Sequence, residues 1–180
     1  MTTYISILRG INVSGQKLVI MDALKNMYEK LRFENIQTYV QSGNVIFSSE
    51  QNDVKNLELT ISTQIKSDFG FEVPVIVLNV ETLKTIIEDN PFTKDTSKDI
   101  SFLHVTILAE NTILFDKESI LDKKQSNEEI EFTSRAIYLY CPNGYGKTRL
   151  NNNFLETKLK VSATTRNWKT TTELLKLATK

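Results

Sequence analysis

Ile36-Gln37-Thr38-Tyr39-Val40-Gln41, Ser42-Gly43-Asn44 and Val45-Ile46-Phe47-Ser48-Ser49 place two runs of β-branched and aromatic residues on either side of a turn-forming triplet. Such a stretch predicts a β-hairpin. On its N-terminal side, Met21, Leu24, Met27, Tyr28 and Leu31 recur at the three- and four-residue spacing of a helix. A polar, glycine-bearing loop, Arg9 to Lys17, precedes that helix, and residues 3–8 form a strand. On the C-terminal side, Asn52 or Asp53 caps a second helix with the stripe Val54, Leu57, Ile61, Ile65 and Phe69, ended by Gly70. Val73 to Leu78 is a further strand, with Pro74 near its start or on an edge. The order strand, helix, strand, strand, helix, strand predicts a ferredoxin-like βαββαβ lobe over residues 1–90, two helices covering one face of an antiparallel sheet.

Asn79 is placed to cap a third helix carrying Val80, Leu83, Ile86 and Ile87, and the polar stretch from Asn90-Pro91 to Asp99 marks a boundary. Residues 100–180 then read as a second small α/β lobe with basic C-terminal helices. Its expected elements are a strand at Ser101–Ala109, a helical stretch at Ile113–Lys124, strands at Ile130–Thr133 and Ala136–Cys141, and helices at Thr148–Lys160 and Thr170–Ala178. That order is an incomplete echo of the first lobe. The fold class is α+β.

With 40% apolar and 24% charged residues among 180, six Gly and three Pro, the composition is that of an ordinary globular protein, which excludes disorder and collagen-like structure. No basic stretch precedes the first apolar run, and no apolar stretch approaches the roughly 20 residues that cross a bilayer. The expectation is a cytoplasmic protein with no membrane partner. A single cysteine, Cys141, fits a reducing compartment. The 22 basic and 22 acidic residues cancel overall, but residues 1–80, 81–134 and 135–180 carry net charges of −1, −6 and +7. Zero total charge argues against a nucleic-acid partner, while the basic final segment suits a small anion or an acidic surface of the protein itself.

Gly144-Tyr145-Gly146-Lys147-Thr148 follows a strand and precedes a helix, as a phosphate-binding loop does, but the position of that motif's first glycine is Cys141. The surviving reading is a helix start that holds an anion with Lys147 and Arg149 nearby. Arg9 to Lys17 lacks the dinucleotide fingerprint, and Ser42 has no activating partner. His104, with one distant cysteine, forms no metal-ligand set. No catalytic residue, metal or cofactor is assigned.

Leu8-Arg9-Gly10-Ile11-Asn12-Val13-Ser14-Gly15 and Tyr39-Val40-Gln41-Ser42-Gly43-Asn44-Val45, followed late in the chain by Tyr138-Leu139, Pro142-Asn143-Gly144, Gly146-Lys147 and Ala163-Thr164-Thr165-Arg166-Asn167-Trp168, resemble the motifs of the bacterial family catalogued as domain of unknown function 1697. Ser14 stands where that family usually has glycine, and Thr148-Arg149 where it has Ser-Lys. The resemblance implies two α/β lobes and no established activity. Its motif residues lie at strand ends in both lobes, which yields the expectation of one inter-lobe site for a phosphorylated or otherwise anionic ligand, lined by Arg9, Asn12, Gln41, Ser42, Asn44, Lys147, Arg166 and Asn167. The alternatives are an enzyme of phosphate or nucleotide chemistry and a non-catalytic interaction protein, such as a homodimer built on a free sheet edge.

Overall fold

A computed structural model describes residues 1–113 and 115–180. The chain divides into two units, one of Met1–Lys84 with Leu174–Lys180 and one of Thr85–Glu173. In the first, β1 (Thr2–Leu8), β2 (Glu34–Tyr39), β3 (Asn44–Ser49) and β4 (Val75–Asn79) form an antiparallel sheet in the order β2-β3-β1-β4. The helices α1 (Met21–Lys30) and α2 (Val54–Phe69) carry Leu24, Met27, Tyr28, Leu57, Ile61 and Ile65 into a core with Tyr4, Leu8, Val45, Phe47, Val75 and Val77. These sheet residues alternate along their strands and share one face, and burying each large side chain contributes about 1.5–3 kcal/mol. Tyr28 is fully buried, yet its hydroxyl stays satisfied by Ser6 Oγ at 2.7 Å, while burial pushes its pKa up.

Local chemistry sets the element ends. Asp53 accepts from Asn56 N at 3.1 Å to cap α2, and Gly70, at φ 82°, ends it in the left-handed conformation. β2 stops at Tyr39, short of the expected Gln41, because Val40 turns to φ 53°. A register shift between Glu34 and Gln37, with Asn35 at φ 51°, bulges the start of that strand. Asn79 accepts from Thr82 N at 2.8 Å and so starts α3 (Val80–Glu88) with no intervening loop.

The second unit holds β5 (Leu103–Leu108), α4 (Lys117–Leu121), β6 (Glu129–Phe132), β7 (Ala136–Tyr140), α5 (Asn152–Leu159) and β8 (Ala163–Asn167), and α6 (Trp168–Ala178) begins in it. Its antiparallel sheet runs β6-β7-β5-β8, the same pattern as the first. The expected echo is therefore complete: β8 is the strand that the sequence reading left out. Leu114, within the predicted helical stretch 113–124, lies outside the described residues, and α4 covers only part of that stretch. Leu139, Ile137, Leu108, Ile120, Leu150, Leu155 and Leu159 make the core. Among the described residues the whole is a mixed α+β fold with two four-stranded antiparallel sheets and six α-helices.

Both sheets protect one edge in the same way. Glu58, the fifth residue of α2, accepts from Val77 N of edge strand β4 at 3.0 Å, and Glu156, the fifth residue of α5, accepts from Ala163 N of edge strand β8 at 2.9 Å.

Candidate functional site

The motif residues of the first unit gather where β1 ends and the β2-β3 turn begins. Leu8 N donates to Gly43 O at 2.8 Å and Arg9 N to Pro74 O at 3.0 Å, so the chain leaves β1 anchored on both sides. It then folds into a miniature hairpin. Asn12 N donates to Lys17 O at 3.1 Å and Gln16 N to Val13 O at 2.9 Å, around a tip whose two residues, Ser14 and Gly15, both sit at positive φ (51° and 72°). That is the backbone a two-residue hairpin turn demands.

Asn12 is the staple of this end. Its amide Nδ2 donates to Val19 O at 3.0 Å and to Gln41 O at 2.8 Å, while its Oδ1 accepts from Val19 N at 2.8 Å. One side chain thus ties the start of the loop, its end and the β2-β3 turn. Asn44, fully buried, does the same inside the turn by donating to Tyr39 O and Ser42 Oγ, each at 3.0 Å. Gly43, at φ 84°, lies so close to its neighbours that a Cβ would stand 2.7 Å from Ile11 Cδ1 and 2.8 Å from Leu8 Cβ. Arg9 is half-buried and Gln41 exposed.

With the polar side chains turned onto the backbone, the surface of this end is aliphatic. Val13, Leu18, Ile20 and Val40 are 57%, 68%, 75% and 48% exposed. Each is bonded in sequence to a residue that Asn12 itself or its hydrogen bonds hold, so the four share one neighbourhood. The sequence signal for it is the run Leu18-Val19-Ile20, where Val19 points inward and its two neighbours outward. Arg9 and Lys17 are the charged residues of 9–21 and 40–44, with no acid among them. Lys17 Nζ donates to the carbonyl of Glu72 at 2.8 Å, while the Glu72 carboxylate pairs with Lys66 at 2.7 Å.

At the opposite end of the same sheet, a cleft of about 370 Å³ is lined by Leu31, Arg32, Phe33, Glu34, Glu50 and Asn56 among others. None of the sequence-predicted site residues lies on it.

The other three belong to the second unit. Lys147 is exposed, and its carbonyl accepts from Gln125 Nε2 at 3.0 Å. The amides of Gly144, Lys147 and Thr148 donate to carbonyls within their own turn, to Cys141 O, Gly144 O and Tyr145 O. Residues 145–147 form a single 3₁₀ turn, and α5 starts only at Asn152, capped by Asn151. Asn143 bonds Gln125 Oε1 at 2.6 Å and exchanges amide bonds with Asn127, so the Pro142-Asn143-Gly144 stretch serves to dock the turn before β6. Asn167 Oδ1 accepts from Thr170 N at 2.8 Å and caps α6. Arg166 donates to Thr165 O at 3.0 Å, and burial lowers its pKa to about 10.

Two side chains of this unit bear on nucleophilic chemistry. Burial first, and then the Glu128 charge, pushes the Cys141 thiol up to about 11, so it stays protonated at neutral pH. His104 stacks on Tyr145 at 4.6 Å between ring centres, and burial lowers its pKa. Among the described residues no group of three or more His, Cys, Asp or Glu side chains is placed to hold a metal ion, and no helix is long and apolar enough to cross a membrane.

A chain of two α+β units, each with a strand order of second, third, first and fourth, and with a stapled loop at one end of the first, defines the structural class. The family described as "Protein of unknown function (DUF1697)" matches residues 1–138, and the chain belongs to it. A solved structure described as a conserved bacterial protein from Streptococcus pneumoniae is similar in fold, with a TM-score of 0.74 at 22% identity over 98% of each chain. No curated protein matches the chain.

Proposed function

We propose that this protein is a non-catalytic binding protein that holds an anionic partner at the motif-bearing end of its first unit. Each unit is read as ferredoxin-like, and the protein as acting in the cytoplasm. The observation that carries the reading is the Asn12 staple. A polar residue that spends its amide on three backbone bonds across two loops builds a surface rather than a reaction centre. The loop is held open-faced in a backbone that ordinary residues avoid, and such strain gathers at recognition sites. Lys17 and Arg9 give it a cationic character, with the Glu72 carboxylate, which Lys17 also influences, already paired with Lys66. The high thiol pKa of Cys141 and the absence of an assigned general base favour binding over catalysis.

The test is a ¹H–¹⁵N correlation titration of the full chain with inorganic phosphate, ATP and an oligoglutamate peptide. At least one of them is expected to shift the amides of residues 9–20 and 40–44 in a salt-sensitive manner. Titrations that leave all of those amides in place sink the reading.

A further inference from the structure

We infer that the partner at this end is a polypeptide segment in which aliphatic anchor residues are flanked by Asp or Glu. The inference rests on the binding reading above and gives the partner its chemistry. Four aliphatic side chains exposed by about half or more are grouped around a single asparagine, whereas the remaining large exposed apolar residues, Met1, Leu59, Ile100, Ile113 and Leu121, are spread through the sequence. Exposed apolar residues standing singly are ordinary; a contiguous group marks a contact surface.

Their mounting is a loop held by several hydrogen bonds. Gly10, Asn12, Ser14, Gly15, Lys17, Val40 and Gly43 all hold positive φ, and the β-branched Val40 is the most costly of these. Such a surface has already met the ordering cost that binding otherwise incurs. β2, the outermost strand of its sheet, runs directly into Val40, so an extended segment can lie along Gln37–Tyr39 and set alternate side chains against the patch.

Other occupants fit less well. A free phosphate would find the amides of Leu8, Arg9, Asn12, Gln16 and Val19 already donating to protein acceptors and would leave the aliphatic side chains uncovered. No aromatic residue lies in 9–20 or 40–44, so bases have nothing to stack on. Two cations fall short of the roughly four to eight that recruit anionic lipid. A second copy docked patch to patch would put the Lys17 and Arg9 cations of both copies into one interface with no acid of 9–21 or 40–44 between them. A carboxylate on either side of an aliphatic pair meets both features of the surface.

The experiment pans a phage-displayed random-peptide library against the full chain and against the Leu18→Ser/Ile20→Ser variant, whose altered positions are exposed and whose fold is checked by circular dichroism. Expected are enriched peptides that combine Leu, Ile or Val pairs with Asp or Glu. Synthetic versions should bind the double variant about 10-fold more weakly, as lost burial of two aliphatic contacts requires, and Lys17→Glu about 3-fold more weakly. Enrichment equal on both targets, enrichment without acidic residues, or no enrichment overturns the inference. So does patch-dependent sedimentation with phosphatidylserine vesicles, or patch-dependent dimerisation in the ultracentrifuge, in place of peptide binding. If phosphate or ATP moves the loop amides while no peptide depends on Leu18 and Ile20, the peptide inference fails and the binding reading stands; if nothing moves them, both fail.

Discussion

The two units share element order and strand order, and they elaborate opposite ends of the sheet in different ways, the first at the β2-β3 turn and the second where β7 ends and β6 begins. In the first, Asn12 and Asn44 turn inward to grip backbone and leave Val13, Leu18, Ile20 and Val40 outside. In the second, Asn143, Gln125 and Asn127 close on one another, and the Gly144–Thr148 turn consumes its own amides. A common scaffold thus carries one end that faces outward and one that satisfies itself. The difference lies in what the asparagines bond to, not in how many there are.

The largest effect that tests this contrast comes from matched glycine substitutions. Gly43→Ala places a methyl group 2.7 Å from Ile11 Cδ1 at a left-handed residue, combining overpacking of about 1–3 kcal/mol with a backbone penalty of about 1 kcal/mol. Gly144→Ala, at φ 92°, meets nothing within 4 Å and carries only the backbone cost, of order 1–3 kcal/mol. Urea denaturation should show the Gly43 variant as the less stable of the two. Equal midpoints would mean that Ile11 and Leu8 move aside freely and that the turn is not fixed against the loop.

Next in size is the loss of a staple. Asn12→Ala removes three hydrogen bonds and is expected to cost about 1–3 kcal/mol, with faster hydrogen exchange at Val19, whose amide bonds Asn12 Oδ1 at 2.8 Å. Asn143→Ala, on the exposed ring of the second unit, should cost about 1 kcal/mol and leave exchange in residues 9–20 untouched. If both variants loosen residues 9–20 alike, the two ends are not separate devices.

How much of this the sequence disclosed differs between the units for physical reasons. The first unit was legible because its signals are local: the 36–49 hairpin, the Asp53 cap, Gly70 and the helical stripes each announce an element unaided. β8 was not, because Ala163-Thr164-Thr165-Arg166-Asn167 has a single apolar residue. Its interior positions are threonines, of which Thr165 meets a partner across the sheet, its Oγ1 lying 2.8 Å from Thr106 Oγ1. A polar strand of that kind is visible only with its partner beside it. The aliphatic patch was hidden for the opposite reason. In sequence an exposed aliphatic looks the same as a buried one, and the exposure of Leu18, Ile20 and Val40 beside the Asn12-held Val19 and Gln41 shows only in the fold.

A likeness between the units supplies the third prediction. Asp53-Val54-Lys55-Asn56-Leu57-Glu58 and Asn151-Asn152-Asn153-Phe154-Leu155-Glu156 both run from an N-cap through a core leucine to the glutamate that caps an edge-strand amide. Glu58→Ala and Glu156→Ala should each cost about 1–2 kcal/mol, by leaving the amide of Val77 or Ala163 without its acceptor. Their similarity is checked by denaturation and by exchange at those two amides. A large effect from one and none from the other would reduce the shared spacing to coincidence.

The smallest effect concerns Ser14. Ser14 sits at φ 51° in the tip of the miniature hairpin, where a side chain costs roughly 1–2 kcal/mol relative to the ordinary helical region. Glycine relieves that strain but adds freedom to the unfolded chain, which takes back about 0.5–1 kcal/mol. Ser14→Gly should therefore raise stability by at most about 1.5 kcal/mol, read as a small rise in the urea midpoint. The tip carries Val13 outward, and its Gln16 to Val13 bond does not involve the Ser14 side chain, so affinity for the enriched peptides should change by less than about 2-fold. A tip that loses affinity more steeply than it gains stability would show that the serine hydroxyl itself meets the partner, and would move the edge of the binding surface out to the end of the loop.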